Sequence, residues 1–280
     1  MPELPEVETV RRTLIDLAVG KTVAKADVRW PKIVKRPEET VQFQDALAGE
    51  TIQDISRRGK FLIFHLDHYA LVTHLRMEGK FSVKEQSEPE APHTHVVFTF
   101  TDGTELRYRD VRKFGTMHLF EKGTENRHAP LIGLGPEPFD VQFTADYLYD
   151  RLKRTSRQVK TALLDQIIVT GLGNIYVDEV LFRSRVHPHR RSTSISKEEA
   201  GRIHYFTKSV LAEAIDRGGS TIRSYVNSQG KKGTFQEVLN VYGRAGEACV
   251  ECGEEIVKTK TGGRGTHICL HCQPLPEEQS

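Results

Sequence analysis

The feature that most constrains this chain is the placement of its cysteines: all four lie between positions 249 and 272. Cys249-x2-Cys252, sixteen residues (253–268), then Cys269-x2-Cys272 is the spacing of a four-thiolate zinc site, in which each pair closes a tight knuckle and the metal joins them. Four sulfurs leave no coordination position for a water, so one Zn2+ there is structural. No cysteine remains for disulfides elsewhere, which fits a reducing compartment. Between the pairs, residues 256–261 and 266–269 flank Gly262-Gly263-Arg264-Gly265. This reads as a β-hairpin with Arg264 at its tip, either solvated or aimed at an anion.

The metal staples only the last stretch, and the rest must bury a core of its own. With 280 residues and 38% hydrophobic content the chain can do so, as more than one domain. No apolar run approaches the length of a membrane span, and the first residues carry acids and prolines where a secretory leader needs a basic flank and an apolar run. A non-exported, cytoplasmic protein is expected. A net charge of +2 does not by itself announce a polyanion partner. Its distribution says more: Arg151, Lys153, Arg154, Arg157 and Lys160 follow one another without an acid, and Arg183, Arg185, Arg190 and Arg191 come soon after. Each cluster equally fits a solvated helix face.

From Lys21 to about Phe120 the sequence runs in short alternating or β-branched segments at 51–56, 61–66, 70–74, 95–101, 104–108 and 115–120, which predicts sheet. Asp102-Gly103 signals a type I′ hairpin, and the acidic, proline-bearing 85–92 a solvent loop. A helix precedes the sheet: Pro5 suits a first turn, Val7, Val10, Leu14 and Leu17 recur at helical spacing, and Gly20 can end it. Segment 130–139 reads as an interdomain linker. Beyond it the period becomes 3.6; Ser196 and Glu199 form a capping box before Ile203, Phe206, Val210, Leu211 and Ala214, and Gly218-Gly219 closes that helix.

Three further groups carry chemistry. Gly171-Leu172-Gly173-Asn174-Ile175-Tyr176 turns tightly into a helix start, where backbone N–H groups and the helix dipole bind phosphate; the plainer alternative is that Asn174 only caps the helix. The chain opens Met1-Pro2-Glu3-Leu4-Pro5-Glu6, and removal of Met1 would expose Pro2 as a secondary amine. A terminal amine of pKa about 7.7 to 8.0 is roughly 10% unprotonated at pH 7, against below roughly 0.1% for lysine. Addition of a secondary amine to a sugar carbon gives an iminium that is cationic without further protonation, and Glu3 and Glu6 stand within one helical turn as acid and base. Finally, Met77 and Glu78 follow His74 in one turn, and Arg112 and Phe114 lie in another. A thioether, a guanidinium and a ring on loops are suited to entering a DNA stack, although core packing or solvation would use the same residues.

Taken together, MPELPEVET (1–9), RRGKF (57–61), HLRMEGKF (74–81), RYRDVRKFG (107–115), GLGNIYVDE (171–179), GGSTIRSY (218–225) and GGRGTHIC (262–269) resemble the bacterial formamidopyrimidine-DNA glycosylases along essentially the whole chain. The resemblance implies an α+β multidomain fold. Its parts are an N-terminal β-sandwich with an N-terminal helix (1–130), a linker (131–143), a C-terminal helical domain with a helix-two-turn-helix (144–240) and a β-hairpin zinc finger (241–280). It implies a base-excision-repair DNA glycosylase and AP lyase that removes 8-oxoguanine and formamidopyrimidines through a Pro2 Schiff base and cuts the strand by β,δ-elimination. Glu3 would be the main acid/base, Glu6 a supporting carboxylate, and Lys60 and Arg264 further members of the catalytic set.

By the same resemblance His74, Asn174 and Arg264 contact phosphates around the extruded nucleotide. Met77, Arg112 and Phe114 fill the void, Arg112 pairing with the orphaned cytosine. Glu78 with Ser220, Thr221, Ile222, Arg223, Ser224 and Tyr225 recognises the lesion. Double-stranded DNA containing oxidised purines is the implied partner, for a monomer that touches no membrane, needs no catalytic cofactor and works at the bacterial nucleoid. Thr170, His267 and His271 depart from the family pattern outside the matched catalytic positions. Two other readings remain open on sequence grounds: the related endonuclease VIII branch, which prefers oxidised pyrimidines, and a DNA-binding zinc-finger protein without catalysis.

Overall fold

Alternating side chains bury one face of a strand, and two such faces bury each other. The computed structural model describes residues 1–220 and 232–275. These form two units: Met1–Ile132 with the described part of Gly218–Gly233, and Gly133–Arg217 with the described part of Thr234–Ser280.

The first unit contains α1 (Leu4–Ala18), β1 (Val23–Val28), β2 (Val34–Arg36), α2 (Thr40–Leu47), β3 (Asp54–Arg58), β4 (Phe61–His65), β5 (Tyr69–His74), β6 (Lys80–Glu85), β7 (Thr94–Phe100), β8 (Thr104–Arg109) and β9 (Thr116–Glu121). One sheet has the order β1-β7-β8-β6 and the other β2-β9-β5-β4-β3. Phe64, Leu71, Phe81, Phe98, Leu106 and Tyr108 from the two sheets share one core with Val7, Val10 and Leu14 of α1. The architecture is therefore a β-sandwich with an N-terminal helix, and the fold as a whole is α+β. Leu17, expected on the buried stripe of α1, is only half-buried; Ala18 takes the inner position instead.

Sequence periodicity passed over four elements here, the short β2 among them. Lys80–Glu85 is a strand because its full length pairs with β8, although only Phe81 on it is fully buried. Val23–Val28 carries charges on its outer face and pairs with β7. Thr40–Leu47 is a helix inside the β region, fixed by burial of Phe43 and Leu47. The β7–β8 connection also differs from expectation. Of Asp102 and Gly103 only Gly103 has positive φ (+85°), whereas type I′ needs both. The connection is instead a three-residue loop whose last residue is left-handed, closed by Gly103 N–H donating to the Phe100 carbonyl at 3.2 Å. The 85–92 tract is exposed as expected, yet its backbone is tied: the Arg107 guanidinium donates to the carbonyls of Glu85, Glu88 and Pro89.

The second unit contains α3 (Ala145–Lys153), α4 (Val159–Leu163), α5 (Asn174–Arg183), α6 (Lys197–Asp216), β10 (Val257–Thr261) and β11 (Arg264–Ile268). The Ser196 capping box forms in both directions: Glu199 N–H donates to Ser196 Oγ, and Ser196 N–H to Glu199 Oε2. Behind it Ala200, Ile203, Val210, Leu211 and Ala214 are buried, with Phe206 only half so. The hairpin turns at Gly262-Gly263, both with positive φ (+55° and +75°), as a two-residue turn of this hand demands. Arg264 therefore opens the returning strand, opposite Thr261, and is not the tip residue. Much of the basic character at 151–191 is internally neutralised, since Arg157 pairs with Asp165, Arg183 with Glu213, Arg185 with Glu251 and Arg190 with Glu199.

Candidate active site and nucleic-acid interface

The N-terminal residues are inside the protein. Pro2 is buried, Glu3 and Glu6 are each 3% exposed, and only Met1 projects. The cause is local: Glu3 caps α1, and three residues later the Glu6 carboxylate reaches back to accept the Glu3 N–H at 2.8 Å. The other Glu6 oxygen accepts the N–H of Ser220 at 2.7 Å. One carboxylate thus ties the N-terminus to the first residue of the 220–225 set. Gly219 is needed there, because a Cβ would stand 2.7 Å from Glu6 Oε1.

Lys60 lies in the β3–β4 turn and His74 at the end of β5, with Phe61 and His74 opposite each other across the sheet and their rings edge-on at 4.6 Å. His74 is 6% exposed, and its Nδ1 accepts the Arg76 N–H at 2.9 Å. Burial first, then the charges of Arg76 and Lys60, push its pKa down to about 3. The ring is accordingly neutral at pH 7 with its hydrogen on Nε2, a donor that carries no charge.

Two turns present the remaining first-unit candidates. The turn Arg76–Glu78 follows β5, holds Met77 and Glu78 half-buried, and closes by the Gly79 N–H donating to the Leu75 carbonyl at 2.9 Å. Between β8 and β9, Asp110 accepts the N–H groups of Arg112 (3.1 Å) and Gly115 (2.8 Å) with its two carboxylate oxygens. Arg112 is exposed and lies over the Phe114 ring, 4.8 Å from its centroid. Phe114 is 51% exposed, so core packing does not explain it.

In the second unit Gly173, not Asn174, is the N-cap of α5. Asn174 is therefore released from capping: its Nδ2 donates to the Gly265 carbonyl at 2.9 Å, and its buried Oδ1 has no partner among the described residues. This puts the start of α5 against the residue next to Arg264, which is exposed. The same carbonyl accepts from Lys160 Nζ (2.9 Å), which also donates to Asp178 Oδ1 (2.7 Å) and Thr266 Oγ1 (2.9 Å), with lysine and aspartate side chains both at 0% exposure. Asp178 Oδ2 accepts the His267 N–H at 3.0 Å. The hairpin is thus held onto α4 and α5 by a buried ion pair whose oxygens are occupied.

The four cysteine sulfurs lie within 4.8 Å of one another. Cys249 to Cys272 is 3.9 Å and Cys252 to Cys269 is 3.4 Å, beside an edge of about 3.8 Å for a tetrahedron with Zn–S near 2.3 Å. Burial and the adjacent Cys252 thiol push Cys272 up to about 12. Burial also opposes ionisation of Cys249, but backbone N–H donors of Glu251 and Cys252 bring it down to about 7. Four such thiols ionise together only around a dication, and the donor set fits zinc.

Sequence reading missed two supports: the Lys160–Asp178 pair, because an isolated lysine in a basic run carries no mark of burial, and Tyr108–Asp110 beneath the Arg112 turn. Thr221, Ile222, Arg223, Ser224 and Tyr225 lie outside the described residues.

Comparison with known proteins covers 98% of the chain. Residues 1–117 match the formamidopyrimidine-DNA glycosylase N-terminal domain, 134–226 the formamidopyrimidine-DNA glycosylase H2TH domain, and 246–275 the zinc finger found in FPG and IleRS. The chain is 60% identical over 273 residues to the formamidopyrimidine-DNA glycosylase of Bacillus subtilis (98% of this chain, 99% of the relative). It is 58% identical over 273 residues to that of Halalkalibacterium halodurans (98% and 100%). Among solved structures, the Lactococcus lactis Fpg bound to abasic-site DNA superposes with a TM-score of 0.91 at 40% identity, covering 98% of this chain and 100% of that one. The Lactococcus enzyme with N7-benzyl-Fapy-dG DNA gives 0.91 at 41%, with the same coverage.

Proposed function

The chain belongs to the formamidopyrimidine-DNA glycosylase family, and from that premise we propose how its own residues excise a damaged base. It is a DNA glycosylase for oxidised purines, and lesion-bearing duplex DNA is its partner. A glycosidic carbon inside a stacked duplex is inaccessible, so the nucleotide is extruded at a cost of about a few kcal/mol. Met77, Arg112 and Phe114 enter the gap, with Arg112 facing the orphaned cytosine. Lys60, His74, Asn174 and Arg264 hold phosphates, His74 as a neutral donor. Each phosphate neutralised by a cationic side chain adds about 0.9 to the salt slope of binding.

Loss of Met1 frees the Pro2 nitrogen. Its lone pair forms the bond to C1′ while the base departs with the glycosidic bonding pair and takes up the proton that the amine loses, and Glu3 protonates the ring oxygen as the sugar opens to the iminium. The iminium withdraws the C2′–H bonding electrons once a base takes the proton, and the 3′ phosphate leaves. A second proton loss expels the 5′ phosphate, and water returns the amine. Glu6 positions Glu3 and the start of the lesion loop. Glu78 and residues 220–225 read the base. The zinc on Cys249, Cys252, Cys269 and Cys272 keeps the Arg264 hairpin folded.

The observation that carries this reading is that the Glu6 carboxylate accepts the N–H groups of both Glu3 and Ser220, which supports a shared anchor for the proposed acid/base and the first residue of the proposed lesion-reading set. The bacterial relatives support action in the cytoplasm, and work at the nucleoid would follow from the proposed DNA substrate; no helix among the described residues is long and apolar enough to cross a membrane. Borohydride added during incubation with 8-oxoguanine duplex is expected to trap a covalent adduct, and Pro2→Gly to lose it. Absence of the adduct in protein whose mass shows Met1 removed would overturn the amine mechanism.

A further inference from the structure

Beneath both first-unit turns lies one buried hydroxyl. Tyr108 is next to last in β8 and 1% exposed, with its ring tilted on Phe81 at 5.0 Å and Phe81 edge-on to Phe64 at 5.4 Å. That ring is fixed by the sandwich core, so its oxygen cannot swing away. A Cβ built on Gly79, directly after the Met77 turn, would overlap the Tyr108 hydroxyl and stand 2.6 Å from the Leu75 carbonyl. A Cβ built on Gly115, directly after Phe114, would overlap the same hydroxyl from the other side and stand 3.2 Å from Asp110 Oδ2. The oxygen therefore fills the space above two Cα atoms, one in each turn, and leaves no room for a Cβ at either; at Gly79 the Leu75 carbonyl excludes one as well.

The contact is polar as well as steric. The hydroxyl donates to Asp110 Oδ2 at 3.5 Å, the oxygen that accepts the Gly115 N–H, while Oδ1 accepts the Arg112 N–H. The Asp110 carbonyl is in turn bonded to His95 Nε2 at 2.8 Å. Burial, and after it the Asp110 charge, hold the phenol well above its ordinary range, so it stays a donor throughout the working pH.

We propose that Tyr108 is a positioning residue whose hydroxyl sets the Met77 turn against the Arg112–Phe114 turn, so that the two parts of the wedge enter the base stack as one body. This rests on the wedge reading given above. A side chain that touches no DNA then governs two things at once: how fast the gap is filled, and how well Arg112 distinguishes the orphaned base. Without the hydroxyl, each turn keeps its own closing hydrogen bond but loses its stop against the other.

The test uses full-length zinc-loaded protein and duplexes carrying 2-aminopurine beside an 8-oxoguanine. Tyr108→Phe is expected to slow the fluorescence phase of gap filling about tenfold, a misplacement of well under 1 Å being enough. It should also narrow the preference for cytosine over adenine opposite the lesion. Borohydride trapping on single-stranded abasic DNA, which needs no wedge, should stay at the wild-type rate. Tyr108→Phe and Met77→Ala should combine less than additively, because they disable the same body. Gly115→Ala, whose Cβ finds its space taken by the fixed hydroxyl and so shifts the Arg112–Phe114 turn away from it, should give the same pattern. Normal gap filling and base preference in Tyr108→Phe, alongside a slow Met77→Ala, would overturn the coupling while leaving the wedge in place. Normal gap filling in both Met77→Ala and Arg112→Ala would overturn the wedge reading and this inference with it.

Discussion

Arg264 and Arg112 are both exposed beside short connections between strands, but the two connections are built on opposite principles. The Arg264 hairpin turns in two glycines, is stapled by a metal at its base, and is anchored along its side by a lysine–aspartate pair with no solvent exposure. Among the described residues, neither a thiolate cluster nor a buried ion pair lies against the Arg112 turn. A carboxylate accepts its N–H groups and a phenol sits under its last residue. The first is held by charge and coordination and is strong only when every partner is present. The second is held by shape and neutral donors, so it gives locally under perturbation. On the roles proposed above, a phosphate contact needs a fixed cation whereas a wedge must slip between bases, and the two constructions would suit those two tasks.

Metal removal should separate the regions most sharply. Structural zinc contributes about 10–16 kcal/mol in small zinc domains. Chelation of the full chain should therefore abolish amide-exchange protection in β10 and β11 and collapse DNA affinity, while amides of β3, β4 and β5 stay protected. Equal loss of protection in both regions would show that they are not independently held.

Next in size is the buried pair. Lys160→Met leaves the Asp178 carboxylate in the interior without its cation and should cost about 3–5 kcal/mol in urea denaturation. Adding Asp178→Asn should recover part of that loss. Tyr108→Phe, the corresponding deletion under the Arg112 turn, should cost only about 1 kcal/mol, the net worth of one hydrogen bond. Similar costs for the two would erase the distinction drawn between them.

Acid gives a further test, local to the Arg76–Glu78 side and read over the single pH unit below 6.5. His74 has a pKa of about 3 in the folded protein against 6.5 ordinarily, so between those values the unfolded chain binds the proton that the native ring refuses. Stability is thus intact above pH 6.5 and falls as pH drops through this window, at up to about 1.4 kcal/mol per pH unit for one proton. His74→Gln should flatten the decline between pH 6.5 and 5.5. His118 and His187, both pushed down to about 4 by burial first, leave a residual slope. An unchanged slope in the variant would show that the Arg76–Glu78 turn does not depend on a neutral His74.

Much of this could be read in the chain itself. The cysteine spacing fixed the zinc site, the α1 stripe its helix, and Ser196 with Glu199 the start of α6, because each is a local pattern whose partners lie within a few residues or repeat at the period of one element. What stayed hidden depended on burial by distant segments. The strand at Lys80–Glu85 exists because β8 pairs with it, and Asn174 is freed from capping because Gly173 takes that place and Gly265 offers a carbonyl. Lys160 looked like one more cation in a basic run until Asp178 and Thr266 closed around it. Sequence determined which elements form and which residue types reach the site, since propensity, capping and ligand spacing act along the chain. Tertiary structure alone decided which hydroxyl, carboxylate or ammonium is desolvated against which partner, since that depends on distances between atoms tens of residues apart.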